Sequence, residues 1–230
     1  MANEEATAVR FITELLDQCS AAEFATVNLF AVLDKANTDN TLAILRELEM
    51  REPRLQVVWA PENRCVVDAY IRGYRQALAA GCDWILEIDA GYSHQPTDVP
   101  RFFATMARGY DCVFGSRFCD GGSFQGPLSR RIVSYGGTLL SNLLLGTRLK
   151  DMTSGFQLFS RGALEQVLET GINSRANFFQ TEIRAHCRKL QITEVPIRYL
   201  VTSDSLKRAV LSDAARNLGH LFKLRLARRL

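Results

Sequence analysis

This 230-residue sequence lacks the cysteine and histidine patterns of metal sites and disulfide frameworks, and it lacks the long apolar runs of membrane-spanning proteins. Its six cysteines are scattered with no Cys-x-x-Cys pair, and its three histidines are isolated. This pattern argues against a zinc site and against a disulfide framework. No apolar run reaches about 18 residues, and no basic start leads into an apolar stretch. We therefore expect a cytoplasmic protein with reduced thiols and no membrane-spanning segment.

Two further absences narrow the function. No Gly-x-Gly-x-x-Gly turn follows a strand pattern, which argues against a dinucleotide-dependent oxidoreductase. The net charge of +3 conceals a basic C-terminal end, in which residues 206–230 contain seven Lys or Arg and a single acid, Asp213. Aromatic residues for base stacking are lacking around these basic residues, so we expect no binding to nucleic acid.

Strand-like and helix-like patterns alternate along the chain, which predicts an α/β fold with a mixed, mainly parallel sheet flanked by helices. The expected core strands are 27–33, 55–60, 84–89, 112–116 and 192–200. Short strands are also expected on both sides of Gly155. Because there is no repeat and no low-complexity linker, we predict one domain over residues 1–205 and an amphipathic helix over 206–230.

Asp89 is the first candidate for chemistry, because it ends the apolar run 84–88 and precedes a flexible Ala-Gly turn. Ligands of open α/β sheets bind at the carboxyl ends of strands, and a carboxylate there can hold a divalent cation. The alternative is a strand-end aspartate that only makes a turn. Glu87 should point to the opposite face and have a structural role. His94 is either a metal support or a surface-loop histidine.

Two more motifs follow Asp89 along the chain: Gly115-Ser116-Arg117 at the next strand end, and then Asp151-x-Thr153-Ser154-Gly155-Phe156. Their order and spacing resemble the family 2 glycosyltransferases of GT-A fold, most closely the dolichol-phosphate mannose synthase branch. The resemblance covers about residues 3–207. Further matches are Arg130 to Ser134, Phe179-Gln180-x-Glu182 and Glu194-Val195-Pro196. The resemblance implies a GT-A nucleotide-diphospho-sugar transferase fold and inverting transfer of a hexose from GDP-mannose or a UDP-sugar.

The resemblance also assigns the donor side of the site. Asp34, Asn63 and Arg64 would bind the nucleotide, together with Asp89. Asp89 would hold Mg²⁺ or Mn²⁺, which neutralises the charge of the leaving diphosphate. Ser205 and Lys207 resemble a mobile segment that closes over the sugar diphosphate.

On the acceptor side, the resemblance places Arg117 and Arg130, with Arg131 and Ser134, against the phosphate of a polyprenyl phosphate. A guanidinium suits this role because it binds phosphate oxygens in a bidentate manner. A phosphate acceptor is already ionised near neutral pH and needs no strong base. If the acceptor is a hydroxyl, Asp151 is the candidate base. The candidate catalytic residues are Asp89, Arg117, Arg130 and Asp151.

A lipid acceptor would bring the protein to the inner face of the membrane. The basic, amphipathic helix at 206–230 suits peripheral contact with an anionic leaflet. The alternative is a helix that packs on its own domain and leaves its basic face in solvent. Association into a homo-oligomer is a further option that the sequence leaves open.

The sequence departs from the family pattern at three places. Lys35 and Gly91 replace acidic residues, which should alter base preference and weaken metal binding. The stretch 1–5 matches only the end of the Pro-x-x-Asn-Glu motif that closes the first core strand in the family. We therefore expect that strand to be missing, through a misassigned start or a real loss, with marginal stability or compensation by a partner. The alternative function is a non-catalytic binding or scaffold protein.

Overall fold

A computed structural model gives the architecture for residues 1–20, 22, 24–201 and 208–230. The expected lid residues Ser205 and Lys207 lie outside these described residues. The helices are α1 (Ala8–Ser20), α2 (Thr41–Glu49), α3 (Val66–Ala79), α4 (Val99–Met106), α5 (Leu128–Leu145), α6 (Arg161–Thr170), α7 (Phe179–His186) and α8 (Arg208–Leu226). The strands are β1 (Leu29–Leu33), β2 (Leu55–Trp59), β3 (Trp84–Glu87), β4 (Cys112–Ser116), β5 (Ser123–Gln125), β6 (Gln157–Ser160), β7 (Ile192–Pro196) and β8 (Arg198–Leu200).

The strands form three separate sheets. β1 and β2 make a parallel pair, and β5 and β8 make another. The largest sheet has the order β3-β6-β4-β7, in which β6 is antiparallel to both neighbours and β4 is parallel to β7. The mixed α/β architecture expected from the sequence is therefore confirmed.

The four-stranded sheet separates two hydrophobic cores, because side chains alternate between its faces. Phe114 and Phe159 face the core covered by α3 and α5 to α8. Their neighbours Val113 and Leu158 face the core that α1 and α4 cover. No helix in the described part of the chain has both the length and the apolar character to cross a bilayer.

A wide cleft lies between the β1–β2 sheet and the four-stranded sheet. Within the described residues, β1 pairs only with β2 and β3 pairs only with β6. The space between their facing edges is a cavity of about 1150 Å³, lined by both strands and by α1 and α3. The expectation that one core strand is missing stays a prediction.

Two strand predictions were wrong in detail. The residues before Gly155 form a loop instead of a strand, because the Asp151 carboxylate accepts hydrogen bonds from Arg117 and from the Thr153 backbone. The expected strand 192–200 is divided at Ile197, since Pro196 has no N–H to continue a ladder. The second part, β8, pairs with β5 instead.

Candidate active site

The carboxyl ends of β3 and β4 bring two of the predicted residues into one pocket. Asp89 follows β3, Arg117 follows β4, and both line a pocket of about 90 Å³. Gly155, Gln180 and Tyr199 complete part of its wall. A carboxylate and a guanidinium therefore face the same small space, as expected from the motif order.

Asp89 is held at the mouth of this pocket by its neighbours. The Tyr70 hydroxyl donates a hydrogen bond to Asp89 Oδ1, and His94 Nδ1 lies 3.5 Å from Asp89 Oδ2. A Cβ atom at Gly155 would lie 3.1 Å from Asp89 Oδ2 and 3.1 Å from the Gln180 amide nitrogen. Gly155 therefore leaves space for the carboxylate, and its role here is steric.

His94 is completely buried, so the surface-loop alternative is wrong. Its two ring nitrogens have no hydrogen-bond partner among the described residues. Burial lowers the pKa of His94 to about 4, although the Asp89 carboxylate acts in the opposite direction. The ring is therefore neutral at pH 7, and Nδ1 is the ring nitrogen that faces the Asp89 carboxylate.

Arg117 is fixed by a buried ion pair. Its Nε donates to Asp151 Oδ2 at 2.7 Å, and its Nη2 donates to Asp151 Oδ1 at 2.8 Å and to Thr153 Oγ1 at 2.5 Å. The guanidinium carbon also lies 5.1 Å from the centre of the Tyr199 ring. Burial raises the pKa of Asp151, but Arg117, Arg184 and the Thr153 backbone together outweigh burial, and the net pKa is lowered. Asp151 is thus an ionised anchor for Arg117, a geometry that favours positioning over the general-base role, which stays a prediction.

The basic residues of α5 lie beside this pair. Arg130 and Ser134 are half-buried, whereas Arg131 is exposed. Burial raises the pKa of Tyr199, while the positive charges of Arg117 and Arg130 lower it. The charge of Arg130 therefore acts on the Tyr199 hydroxyl in the same direction as the charge of Arg117.

The predicted nucleotide-binding residues line the mouth of the cleft. Asp34, Asn63, Arg64 and Asp89 all border it. Asp34 Oδ1 accepts a hydrogen bond from the Ala36 backbone at 2.9 Å. Asn63 is buried, and its Nδ2 has no partner in the described part of the chain. An unpaired amide donor at this mouth is available to a ligand acceptor.

The carboxylate of Glu4, which is not among the predicted site residues, occupies the space beside Gly91. Gly91 has a positive φ of 74°, and a Cβ atom there would lie 2.7 Å from Glu4 Oε2. The Met1 amine lies near the same group: burial lowers its pKa, whereas the carboxylates of Asp34, Asp89 and Glu4 raise it. The only sequence signal for Glu4 is its match to the Asn-Glu end of the family's first motif.

Glu87 forms a buried polar network behind Asp89. The Gln157 and Gln180 amides donate to its carboxyl group at 2.9 and 2.6 Å, and the Tyr74 hydroxyl also donates to it. Burial raises the pKa of Glu87 to about 8, with Asp89 acting in the same direction and the two amides opposing it. The expectation that Glu87 points to the opposite face was wrong, because residues two apart in an extended chain share a face and Gln180 contacts Glu87 beside Asp89. Its structural role stays a prediction.

Glu182 and Arg184 of α7 contact different parts of the chain. Glu182 accepts hydrogen bonds from the Asn173 and Ser174 backbone at 2.9 Å each. Arg184 donates to the Ser154 carbonyl at 2.6 Å, on the other side of α7. Residues two apart on a helix do not face each other, so the two side chains anchor different loops.

Solved structures similar to this chain establish the fold. Glucosyl-3-phosphoglycerate synthase from Mycobacterium tuberculosis, in complex with UDP, aligns with a TM-score of 0.63 and 17% identity over 98% of this chain and 77% of its own. The same enzyme with Mn²⁺, UDP-glucose and phosphoglyceric acid aligns with a TM-score of 0.62 and 18% identity over 95% and 77%. At this identity the likeness shows the GT-A fold alone.

Sequence relatives identify the family. An undecaprenyl-phosphate mannosyltransferase from Micrococcus luteus is 32% identical over 172 residues, which cover 74% of this chain and 70% of the relative. A polyprenol monophosphomannose synthase from Mycolicibacterium smegmatis is 30% identical over 73% of this chain and 65% of its own length. The model of Glycosyl transferase family 2 matches residues 1–168. The chain therefore belongs to glycosyl transferase family 2.

Proposed function

We propose that this glycosyltransferase moves a hexose from a nucleotide sugar to a polyprenyl phosphate, with Mg²⁺ or Mn²⁺ bound at Asp89. The observation that carries the proposal is the pocket shared by Asp89 and Arg117. The names of the two sequence relatives support a mannosyl donor and a polyprenyl acceptor. The M. tuberculosis enzyme crystallised with Mn²⁺ supports a divalent metal.

The donor would enter through the mouth lined by Asp34, Asn63 and Arg64. Asp89 fits a divalent cation, because its carboxylate offers an oxygen ligand in the pocket and the diphosphate and water would supply the other ligands. When bound, the metal would neutralise the charge that develops on the leaving diphosphate. Glu4 offers a second carboxylate near the position where Gly91 lacks one.

On the opposite side, Arg117 and Arg130 would bind the acceptor phosphate and orient one oxygen towards the anomeric carbon. That oxygen would attack from the face opposite to the leaving diphosphate, which inverts the configuration. Asp151 would hold the Arg117 guanidinium in place. No proton has to be removed, because the acceptor phosphate is already ionised.

An apolar stripe on α5 supports a membrane-bound acceptor. Leu128, Ile132, Tyr135, Leu139 and Leu143 recur at helical spacing and are 49% to 74% exposed. Arg130 lies on the same helix, near the first residues of this stripe. A continuous exposed apolar face next to a phosphate site suits contact with lipid.

The C-terminal helix is less suited to that contact. Leu218 and Leu221 of α8 are buried in a core of the domain. Arg225 donates hydrogen bonds to the carbonyls of Leu143 and Leu144 at 2.9 and 2.8 Å, where it caps the end of α5. We therefore propose that α5, supported by α8, makes the peripheral membrane contact.

A transfer assay tests the function directly. Purified protein would be incubated with labelled GDP-mannose or UDP-sugars and with either a polyprenyl phosphate or the matching polyprenol, in the presence of Mn²⁺ or EDTA. We expect product only from the phosphate, only with metal, and little from Arg117→Lys, because lysine cannot form the bidentate contact. The matched control is Arg161→Lys, whose ion pair with Glu165 is on the surface.

Either of two outcomes would contradict the proposal. Equal transfer to the polyprenol would exclude a phosphate acceptor. Absence of transfer, together with absence of any nucleotide-dependent shift of the melting temperature, would favour the binding or scaffold alternative. Flotation with anionic vesicles tests the membrane surface: Leu139→Glu/Leu143→Glu should release the protein, whereas Leu211→Glu/Leu226→Glu on α8 should not.

A further inference from the structure

Aromatic rings surround the guanidinium of Arg117. Its central carbon lies 5.3 Å from the centre of the Phe118 ring, 5.6 Å from that of Phe124 and 5.1 Å from that of Tyr199. These distances are within the range of cation–π contacts. Phe118 also packs edge-on against Tyr135 of α5, with 5.5 Å between the ring centres. We call Phe118, Phe124, Tyr135 and Tyr199 the ring cluster.

The small sheet of β5 and β8 places two of these rings. Phe124 and Tyr199 are partners in the parallel register of the two strands, and their ring centres are 5.6 Å apart. No residue of β5 or β8 belongs to either hydrophobic core of the described chain. The β5–β8 pair therefore serves to hold rings beside the end of β4 and does not contribute to core packing.

The rings of the cluster are only partly covered by protein. Phe118 and Phe124 are half-buried, and Tyr135 is 49% exposed. The core rings Phe114 and Phe156 are by contrast completely buried. An aromatic side chain gains most when its whole apolar surface is covered, so the ring cluster leaves apolar surface for a ligand.

The ring cluster joins a buried charge to an exposed apolar surface. Arg117 is 6% exposed, whereas Tyr135 belongs to the apolar stripe of α5 and lies one turn before Leu139. An acceptor with its phosphate at Arg117 and its chain on this stripe must cross the rings. This step rests on the proposed function, because it takes a polyprenyl phosphate as the acceptor.

We propose that the ring cluster binds the first isoprene units of the acceptor and so selects a prenyl chain over a straight saturated one. An isoprene unit is flat around its double bond and carries a methyl branch, so it can lie against a ring. The electron-rich face of the ring attracts the C–H groups of that unit. A straight saturated chain gains only the general benefit of apolar burial. The positive charges of Arg117 and Arg130 fix the phosphate end.

Binding of short, water-soluble ligands tests this proposal without any transfer reaction. Geranyl phosphate, decyl phosphate, inorganic phosphate and geraniol are titrated by calorimetry below the concentrations at which they form micelles. Geranyl and decyl phosphate have the same number of carbon atoms and the same charged group, so they differ only in branching and double bonds. Each titration is made without nucleotide and again with Mn²⁺ and GDP or UDP.

Three variants accompany the wild type. Phe118→Leu and Tyr135→Leu each remove one ring and keep an apolar side chain. Tyr110→Leu is the matched control, because Tyr110 is also half-buried and its ring centre lies 5.6 Å from the Arg108 guanidinium. Tyr110 precedes β4, at the end of the strand opposite to Arg117.

We expect the wild type to bind geranyl phosphate about tenfold more tightly than decyl phosphate, and geraniol more weakly than either. Each ring variant should reduce that preference by about threefold, which is the size of one aromatic contact. The affinity for inorganic phosphate should stay within about twofold, since Arg117 keeps its pairing with Asp151. Tyr110→Leu should behave as the wild type does.

Three results would overturn the proposal. One is equal affinity of the wild type for geranyl and decyl phosphate, and another is an unchanged preference in both ring variants. The third is geraniol binding as tight as that of geranyl phosphate, because the phosphate would then not anchor the chain. If Phe118→Leu does not fold, Tyr135→Leu decides the test, since its side chain lies on the surface.

Failure of this proposal can be told apart from failure of the proposed function. Transfer of sugar to a polyprenyl phosphate, together with equal binding of geranyl and decyl phosphate, would contradict the role of the ring cluster alone. Absence of binding by all the phosphate ligands would contradict both, because Arg117 and Arg130 would then not form a phosphate site.

Discussion

The acceptor side and the donor side of the site differ in how firmly the protein holds them. Arg117 is buried, paired with both oxygens of Asp151 and stacked near Tyr199. The donor residues Asp34 and Arg64 instead border a wide cleft. The Arg117 side is thus fixed by buried contacts, whereas the Asp34 side borders the place where the sheet is divided. The better-fixed residue, Arg117, follows a strand inside the four-stranded sheet, whereas Asp34 follows β1, which has a free edge in the described residues.

Breaking the acceptor side should have the largest effect. Asp151→Asn leaves the buried Arg117 guanidinium without its anion, which typically costs about 3–5 kcal/mol. We expect a large fall in the free energy of unfolding, measured by urea denaturation, and loss of transfer. Asp120→Asn is the control, because Asp120 is fully exposed. If both variants unfold at the same urea concentration, the Arg117–Asp151 pair does not hold the acceptor side.

Breaking the donor side should affect activity without affecting stability. Asp89→Asn removes the proposed metal ligand, so transfer should fall by about 100-fold or more. The melting temperature should remain almost unchanged, since Asp89 is partly exposed. The Mn²⁺-dependent stabilisation by UDP or GDP should disappear in the same thermal-shift experiment. Unchanged turnover in Asp89→Asn would contradict the proposal that Asp89 binds the metal.

The junction between the two sides can be tested through Gly155. In Gly155→Ala, the new methyl group presses on Asp89 and Gln180, each at 3.1 Å. We expect transfer to fall by about tenfold through misplacement of the carboxylate. Gly162→Ala is the matched control, because nothing lies within 4 Å of its added Cβ. Equal activity of the two variants would contradict the close fit.

The smallest expected effect is a pH dependence from Glu87. Its pKa is raised by burial to about 8 from a model-compound value of 4.5. Between these values the folded state keeps a proton that the unfolded state has lost, so stability should fall as the pH rises. His94 contributes the opposite trend only below its ordinary pKa of 6.5. Burial also lowers the pKa of the Met1 amine from its ordinary value of 8.0, which opposes the Glu87 trend in the wild type and in a Glu87 variant alike. The informative window is therefore pH 6.5 to 8.

Melting temperatures across that window, for the wild type and for Glu87→Gln, check this prediction. Relative to the variant, the wild type should lose a few degrees, because about 1 kcal/mol shifts a protein of this size by about 2–4 °C. Glu87→Gln should give a flatter profile, since glutamine does not titrate. A steeper profile in the variant would reverse the sign of the argument.

Much of the architecture was predictable from local patterns. The strand expected at 112–116 is β4, and the strand expected at 55–60 is β2. Apolar periodicity and turn residues act over a few positions, so they can be read along the chain. The division of 192–200 into β7 and β8 was not predicted, because the strand pattern continues on both sides of Pro196.

The sequence by itself determined the family and the α/β fold class, and it singled out Asp89 and Arg117 as candidate site residues. Their motifs are short and contiguous, and the ends of strands bring them together. Only the tertiary structure decided which groups partner them: Asp151 with Arg117, Glu4 beside Gly91 and a buried His94 beside Asp89. It also decided that α5, and not α8, exposes an apolar stripe. These outcomes depend on contacts between residues far apart in the chain, where burial and charge act through space and leave no local pattern.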